Sequence, residues 1–179
     1  MTEIPGWHEE AIARHHDRAA FDCGVADLNQ YLHRYARQNH LSGAAKTFVG
    51  VSFTEPSRVL GYYSISPGSV EFARVPSKIS KGLGRYDVAV FRLGRLAVSR
   101  SMQGKGLGSD LFMRAGERAL AVSAEAGGVA LAIDAKDSQA AQWYQRFGAV
   151  SLLDDPLKLI LPLSVIAEAL ASASTQGSR

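Results

Sequence analysis

The spacing of hydrophobic positions in the first third of the chain predicts a helix followed by a hairpin. Residues 24–40 carry apolar side chains at helical spacing: Val25, Leu28, Leu32 and Tyr35. Two β-rich runs come next, KTFVGVSF and VLGYYSIS, and the turn-forming residues TEPS between them predict a hairpin. A short strand is predicted before the helix, in WHEEAIA.

The rest of the chain predicts strands alternating with helices. We expect a strand over Phe91–Val98, then a glycine-rich loop and a helix that ends near Ala126. VALAID predicts a buried strand, and SQAAQWYQRF a helix that Asp137 or Ser138 could cap. LKLILPL predicts a last strand and LSVIAEALASA a last helix. A hairpin followed by alternating strands and helices indicates an α/β protein with a mixed sheet.

Composition limits the class of protein. The chain has 179 residues, 46% of them hydrophobic and 21% charged, which fits a single globular domain over residues 1–179 with a frayed tail from about 172. The net charge of +3 permits an acidic partner without demanding one. One cysteine excludes an intramolecular disulfide and favours a reducing compartment, the cytoplasm. No apolar run resembles a signal peptide or reaches the about 18 residues of a membrane span.

The loop between the predicted strand and helix, RSMQGKGLGSDL, is rich in glycine. It is either a flexible turn or an anion-binding loop, because amide N–H groups at a helix N-terminus attract phosphate. A Walker loop is a poor match, because Gly106 follows Lys105 where a hydroxyl residue is required. A dinucleotide fingerprint is also a poor match, because Ser109 stands at its third glycine position.

Three other residue types admit a chemical and a structural interpretation. Cys23 is either a nucleophile or a small buried side chain, and we favour the latter. The five histidines, His8, His15, His16, His33 and His40, lack metal-ligand spacing, so we expect surface or helix-face positions and no metal. The scattered basic residues are either a solvated surface or a patch for nucleic-acid phosphates.

The order of elements and the loop resemble the GNAT family of N-acetyltransferases from about Phe21 to Leu161. The family's Q/R-x-x-G-x-G/A pattern is matched by Gln103, Gly106 and Gly108, after the strand LGRLAV. The resemblance implies one GNAT domain, with a mixed, mostly antiparallel sheet and flanking helices, that takes its acetyl group from acetyl-CoA. It implies cofactor binding by the strand end and the loop, that is by Leu96, Ala97, Val98, Gln103, Gly104, Lys105, Gly106, Leu107 and Gly108.

Further stretches, including FDCGVADLNQYL and AAQWYQRFGAV, resemble the acetyltransferase toxins of type II toxin–antitoxin systems. That branch acetylates the α-amine of aminoacyl-tRNA and so blocks translation. The implied partners are charged tRNA and a ribbon–helix–helix antitoxin, and family members are often dimers. For tRNA contact we expect Arg34, Arg37, Arg85 and Arg92.

The resemblance makes Tyr144 the expected catalytic residue, although its spacing from Ala140 and Phe147 alone is more typical of a core aromatic. A phenol could protonate the thiolate leaving group. No strong general base is apparent, but an α-amine has a pKa of about 7.7–8.0, so a fair fraction is already neutral in the cell. Two other functions stay open: a housekeeping acetyltransferase of a small amine or protein N-terminus, and an inactive partner-binding scaffold.

Overall fold

The computed structural model describes residues 4–177, and this part of the chain forms an α/β fold built on one mixed sheet. The strands are β1 (Trp7–Ala11), β2 (Lys46–Ser52), β3 (Val59–Val70), β4 (Val88–Val98), β5 (Ala130–Asp134), β6 (Val150–Leu152) and β7 (Asp155–Pro162). The helices are α1 (Ala26–Gln30), α2 (Ala36–Ser42), α3 (Ser77–Ser80), α4 (Leu107–Ala126), α5 (Ser138–Gln145) and α6 (Leu163–Gln176).

The strands pair in the order β1-β2-β3-β4-β5-β7-β6. The β4–β5 pair is parallel, whereas β1–β2, β2–β3, β5–β7 and β6–β7 are antiparallel. The α/β fold class with a mostly antiparallel sheet, expected from the sequence, is therefore confirmed. No helix within residues 4–177 is both long enough and apolar enough to span a bilayer.

The chain divides into two compact units, and the first comprises Met1–Ser66 and Gly94–Ala115. Its part of the sheet begins with the antiparallel β1–β2 pair, in which Trp7 lies opposite Ser52. Its core contains side chains from the helical segment, from β2 and β3, and from Ala97 at the end of β4. The largest fully buried side chains of this core are Leu32 and Tyr62.

The second unit comprises Pro67–Leu93 and Gly116–Arg179. The parallel pairing of β4 with β5 lies in it, with Val90 opposite Ala130. Its core is formed by side chains of β3, β4, β5, β6 and β7, with Val75 from the connection between β3 and β4. Burial of each valine- or leucine-sized side chain in such a core contributes roughly 1.5–3 kcal/mol to the stability of the fold.

The helix predicted over residues 24–40 exists, with Leu32 of the predicted stripe in the core and Val25 and Leu28 packed against it, but Tyr35 departs from the stripe. A π-helical turn, Tyr31–Tyr35, joins α1 to α2. A π turn inserts one extra residue, which rotates the following side chains away from the regular helical period. Tyr35, expected in the core, is therefore 48% exposed, whereas Tyr31 and Ala36 are buried.

Most other predicted elements are present, with differences in their bounds and two short elements, α3 and β6, that were not predicted. Strand β4 begins at Val88, before the predicted Phe91. Helix α6 continues to Gln176, into the stretch from about residue 172 where a frayed tail was expected. Hydroxyl side chains at the end of α6 bond back to the helix, as Ser172 does to the carbonyl of Glu168 at 3.0 Å. Residues 178 and 179 of the predicted tail lie outside the described part.

Candidate active site

The glycine-rich loop forms a tight turn at the start of α4. Gly104 and Gly106 have φ values of 73° and 91°, a left-handed conformation that favours glycine. A Cβ atom built on either residue would meet no other atom within 4 Å, so the space above the turn is open. The two glycines therefore leave room for a ligand to approach the backbone closely.

The backbone at this turn presents unpaired donors. The first intrahelical hydrogen bond of α4 runs from the N–H of Asp110 to the carbonyl of Gly106, at 3.2 Å. The N–H groups of Leu107, Gly108 and Ser109 precede it, and such first-turn groups have no partner within a helix. Leu107 is fully buried, so its side chain anchors the helix. Donors at a positive helix end in an open turn fit a pyrophosphate.

Gln103 connects this loop to the end of β4. Its Nε2 donates to the carbonyl oxygen of Val98 at 2.9 Å and to that of Cys23 at 2.9 Å. Because both partners are acceptors, the orientation of the side-chain amide is determined. Gln103 thus positions the loop through its side chain.

The turn before α1 is attached to the same loop. The N–H of Arg100 donates to the carbonyl of Asp22 at 2.9 Å, and its guanidinium Nε lies 3.2 Å from the Asp22 carboxylate. A hydrogen bond from Asn29, with further contributions from Gly24 and Arg100, lowers the pKa of Asp22. Cys23 is buried and its Sγ donates to the carbonyl of Val25 at 3.6 Å. Its position is consistent with the structural role that the sequence favoured.

The end of β4 presents backbone rather than side chains. Ala97 packs in the core of the first unit, and Leu96 and Val98 are half-buried. On the neighbouring strand, a Cβ built on Gly61 would lie 3.0 Å from the carbonyl oxygen of Ala97. The glycine therefore permits close approach of the two strands. All nine predicted cofactor residues, Leu96–Val98 and Gln103–Gly108, lie in the first unit.

Tyr144 lies in the second unit, on α5. Asp137, one of the two cap residues that the sequence allowed, caps this helix by accepting a 2.8 Å hydrogen bond from the N–H of Ala140. Tyr144 is only 9% exposed, and burial raises the pKa of its phenol above the ordinary value. The hydroxyl therefore keeps its proton throughout the physiological range. Burial of the ring agrees with a core aromatic, and a retained proton agrees with a proton donor.

The four arginines expected to contact tRNA occupy both units. Arg34 and Arg37 lie in and just after the π turn, and Arg85 is exposed in the connection before β4. Arg92 pairs with Asp134 at 3.1 Å. It lines a cleft with two further cations, Arg74 and Lys158, which the sequence analysis did not single out as tRNA contacts. Lys158 was detectable only from strand register, because it lies opposite Asp134 in the β5–β7 pair.

One of the five histidines, His16, departs from the expected surface or helix-face positions. His16 is 3% exposed, so its expected surface position is wrong. Glu10 accepts hydrogen bonds from His8 at 2.8 Å, from His16 at 2.7 Å and from His15 at 3.3 Å. These bonds, led by that of His8, lower the pKa of Glu10 to about 2, whereas burial lowers the pKa of His16.

The tautomer of His16 decides what this cluster can bind. Ligand atoms of Glu10, His15 and His16 lie within 4.8 Å of one another, close enough for a metal ion. However, the Nδ1 of His16 accepts a 2.9 Å hydrogen bond from the N–H of Ala13. Its proton therefore resides on Nε2, where it is donated to Glu10, and that nitrogen has no lone pair for a metal. In this arrangement the cluster is a hydrogen-bonded network.

The mixed sheet and the positive-φ turn at the start of α4 are typical of the N-acetyltransferase class. The sequence profile of the acetyltransferase (GNAT) domain family matches residues 55–148. The chain belongs to this family and is an N-acetyltransferase.

Named relatives agree with this assignment. The chain is 34% identical over 145 residues to a tRNA-acetylating toxin of Mycobacterium tuberculosis, covering 81% of this chain and 85% of that protein. It resembles the structure of AtaT complexed with acetyl-methionyl-tRNAfMet, with a TM-score of 0.86 and 25% identity over 92% of this chain and 99% of that one. A mutant AtaT toxin bound to acetyl-CoA and to the C-terminus of the antitoxin AtaR has a TM-score of 0.79 and 24% identity, covering 92% and 98% of the two chains.

Proposed function

We propose that this chain is a toxin that acetylates the α-amine of aminoacyl-tRNA, with acetyl-CoA as the acetyl donor. The observation that carries the proposal is its 34% identity, over 81% of its length, to a protein named a tRNA-acetylating toxin. The open turn at Gly104 and Gly106 supports it, because its backbone donors suit a pyrophosphate. Acetyl-CoA supplies the thioester whose acetyl group is transferred.

The residues of the chain divide the remaining work. The backbone amides of residues 103–108 bind the pyrophosphate, the side chain of Gln103 positions this loop, and the amides of Ala97 and Val98 stabilise the developing oxyanion. Tyr144 holds a proton on its Oη for the leaving thiolate. No general base is required, because an α-amine with a pKa of about 7.7–8.0 is partly neutral at cellular pH.

The similarity to a tRNA-acetylating toxin also supports a proposal for the substrate and the partners. Arg34, Arg37, Arg85 and Arg92 contact the phosphates of the acceptor stem. A ribbon–helix–helix antitoxin neutralises the toxin, and the active form is a homodimer. The chain works as one acetyltransferase domain, which is supported by strands β3 and β4, since each has residues in both compact units. Its compartment is the cytoplasm.

Acetyl transfer to a pool of charged tRNA tests this function. Radiolabel from acetyl-CoA should enter aminoacyl-tRNA, and cell-free translation should stop. Each phosphate contact releases counterions, so the rate should fall steeply with rising salt, whereas acetylation of a free amino-acid ester should not. The double variant Arg34→Glu, Arg37→Glu should impair the tRNA reaction more than the ester reaction. If radiolabel enters a small amine or peptide but no aminoacyl-tRNA, the protein is a housekeeping acetyltransferase and not a tRNA-acetylating toxin.

A further inference from the structure

The guanidinium of Arg95 lies over an aromatic ring, beside the strand end whose amides are the proposed oxyanion donors. Its guanidinium carbon lies 3.7 Å from the centroid of the Tyr31 ring. This distance is well inside the about 6 Å range of a cation–π interaction. Arg95 directly precedes Leu96, and strand residues advance about 3.3 Å each, so its Cα lies roughly 10 Å or less from that of Val98.

The ring beneath Arg95 cannot easily move. Tyr31 is 5% exposed and stacks with Tyr62 at 6.3 Å between ring centroids. The hydroxyl of Tyr62 donates to the carbonyl of Leu28 at 2.7 Å, and Asn39 donates to the Tyr31 hydroxyl at 3.4 Å. A packed aromatic pair therefore fixes the ring over which the guanidinium lies.

The N–H groups of the Arg95 guanidinium have no hydrogen-bond acceptor within the described part of the chain. Within residues 4–177, no carboxylate lies within 4 Å of its nitrogens and no acceptor takes its N–H groups. The other arginines near the loop differ: Arg100 pairs with Asp22, and Arg58 pairs with Glu55. An exposed guanidinium that is oriented by stacking has lost much of its rotamer entropy before any ligand arrives.

We propose that Arg95, oriented by Tyr31, is a phosphate-binding fork that positions a substrate at the end of β4. A planar guanidinium with parallel free donors matches the oxygens of a phosphate or phosphodiester bidentately. Two substrates of the reaction carry this group, the RNA strand next to the aminoacyl end and acetyl-CoA. The inference rests on the proposed function for the RNA source alone, because acetyl-CoA is the donor in either case.

The test compares Arg95→Gln with Arg14→Gln, a matched loss of one exposed positive charge from the same unit. Loss of a charge-assisted bidentate contact should weaken binding about 10-fold to 100-fold. If RNA is the source, the KM for charged tRNA should rise by this factor, with kcat, the amino-acid ester reaction and the Kd for acetyl-CoA little changed. If acetyl-CoA is the source, its Kd should rise instead. Arg14→Gln should change neither quantity.

Two further variants separate charge from geometry. Arg95→Lys retains the charge but not the planar fork, so it should restore less than half of the lost affinity. Tyr31→Phe keeps the aromatic face and should bind like the wild type, whereas Tyr31→Leu should reproduce part of the Arg95→Gln defect. If the leucine variant melts at a much lower temperature, the comparison of Arg95→Gln with Arg95→Lys decides alone.

The proposal that Arg95 binds a substrate phosphate is overturned if Arg95→Gln leaves both the KM for charged tRNA and the Kd for acetyl-CoA unchanged. A different result would overturn the proposed function: wild-type protein that acetylates an ester but no aminoacyl-tRNA. In that event the Kd for acetyl-CoA and for a short single-stranded RNA oligonucleotide still decides the role of Arg95.

Discussion

The side-chain amide of Gln103 donates a 2.9 Å hydrogen bond to the carbonyl oxygen of Val98, which joins the phosphate loop to the end of β4. The same nitrogen also donates to the carbonyl of Cys23, which is 80 residues away in sequence, so the turn before α1 meets the loop and the strand end at one side chain. Gln103 therefore couples the shape of the loop to the strand whose amides face the acetyl group in the proposed function.

Replacing Gln103 should loosen the loop without unfolding the protein. Gln103→Ala removes both hydrogen bonds, each worth about 1 kcal/mol, and should weaken acetyl-CoA binding by roughly tenfold in calorimetry. Gln103→Glu should bind acetyl-CoA at least as weakly as Gln103→Ala, because a carboxylate cannot donate hydrogen bonds to the two carbonyls. Gln38→Ala, at an exposed position on α2, is the control. Normal affinity in both Gln103 variants would show that the loop keeps its shape unaided.

Gly106 tests the phosphate site itself. Gly106→Glu should abolish measurable acetyl-CoA binding, because the side chain would fill the open space above the turn and carry a negative charge. Its φ of 91° also makes any side chain cost about 1–2 kcal/mol in strain. Gly43→Ala is a matched control, since Gly43 has a φ of 81° and equally open surroundings at the end of α2. Equal acetyl-CoA affinity in a folded Gly106→Glu protein would remove the loop from the binding site.

Tyr144→Phe should lower turnover about 10²–10⁴-fold while the Kd for acetyl-CoA and the melting temperature change little. Because burial raises the pKa of this phenol, wild-type turnover should show no loss of the acid through the ordinary tyrosine range near pH 10. Tyr63→Phe is the contrasting variant. It removes a 2.7 Å hydrogen bond to Glu9 and should lower stability with turnover preserved. Normal turnover of Tyr144→Phe would make Tyr144 a core aromatic only.

The histidine–glutamate network predicts loss of stability in acid. Glu10 has a folded pKa of about 2, below its unfolded value, so its contribution is present above about pH 4.5 and lost as pH falls towards 2. The pKa of His16 is also lowered, so its neutral form stabilises the fold above about pH 6.5, and protonation below that pH destabilises it.

Denaturant unfolding between pH 7 and pH 3 measures both effects. The free energy of unfolding should fall in two stages, first below about pH 6.5 and then below about pH 4.5. Glu10→Gln should flatten the second stage, because it removes the titrating carboxylate. Glu55→Gln, which alters an exposed ion pair, should follow the wild-type curve. A second stage equally steep in Glu10→Gln would assign it to other carboxylates.

The local sequence determined the elements and the loop. β-rich runs with turn residues between them predicted the hairpin, an apolar run predicted β5, and a helical pattern predicted α5 with Asp137 or Ser138 as its cap, because these features depend on neighbours in the chain. Three glycines after an apolar run predicted the turn at the start of α4, since a positive φ is a local requirement that glycine meets.

Only the tertiary structure decided which side chains act together. Arg95 lies 3.7 Å from the Tyr31 ring although they are far apart in sequence, and spacing carries no information on such contacts. The π turn moved Tyr35 to the surface, because the packing of one face can override helical periodicity. His16 was buried by its hydrogen bonds to Glu10 and Ala13, a network that composition could not reveal. Local conformation follows from neighbouring residues, whereas burial and pairing follow from the closure of the whole chain.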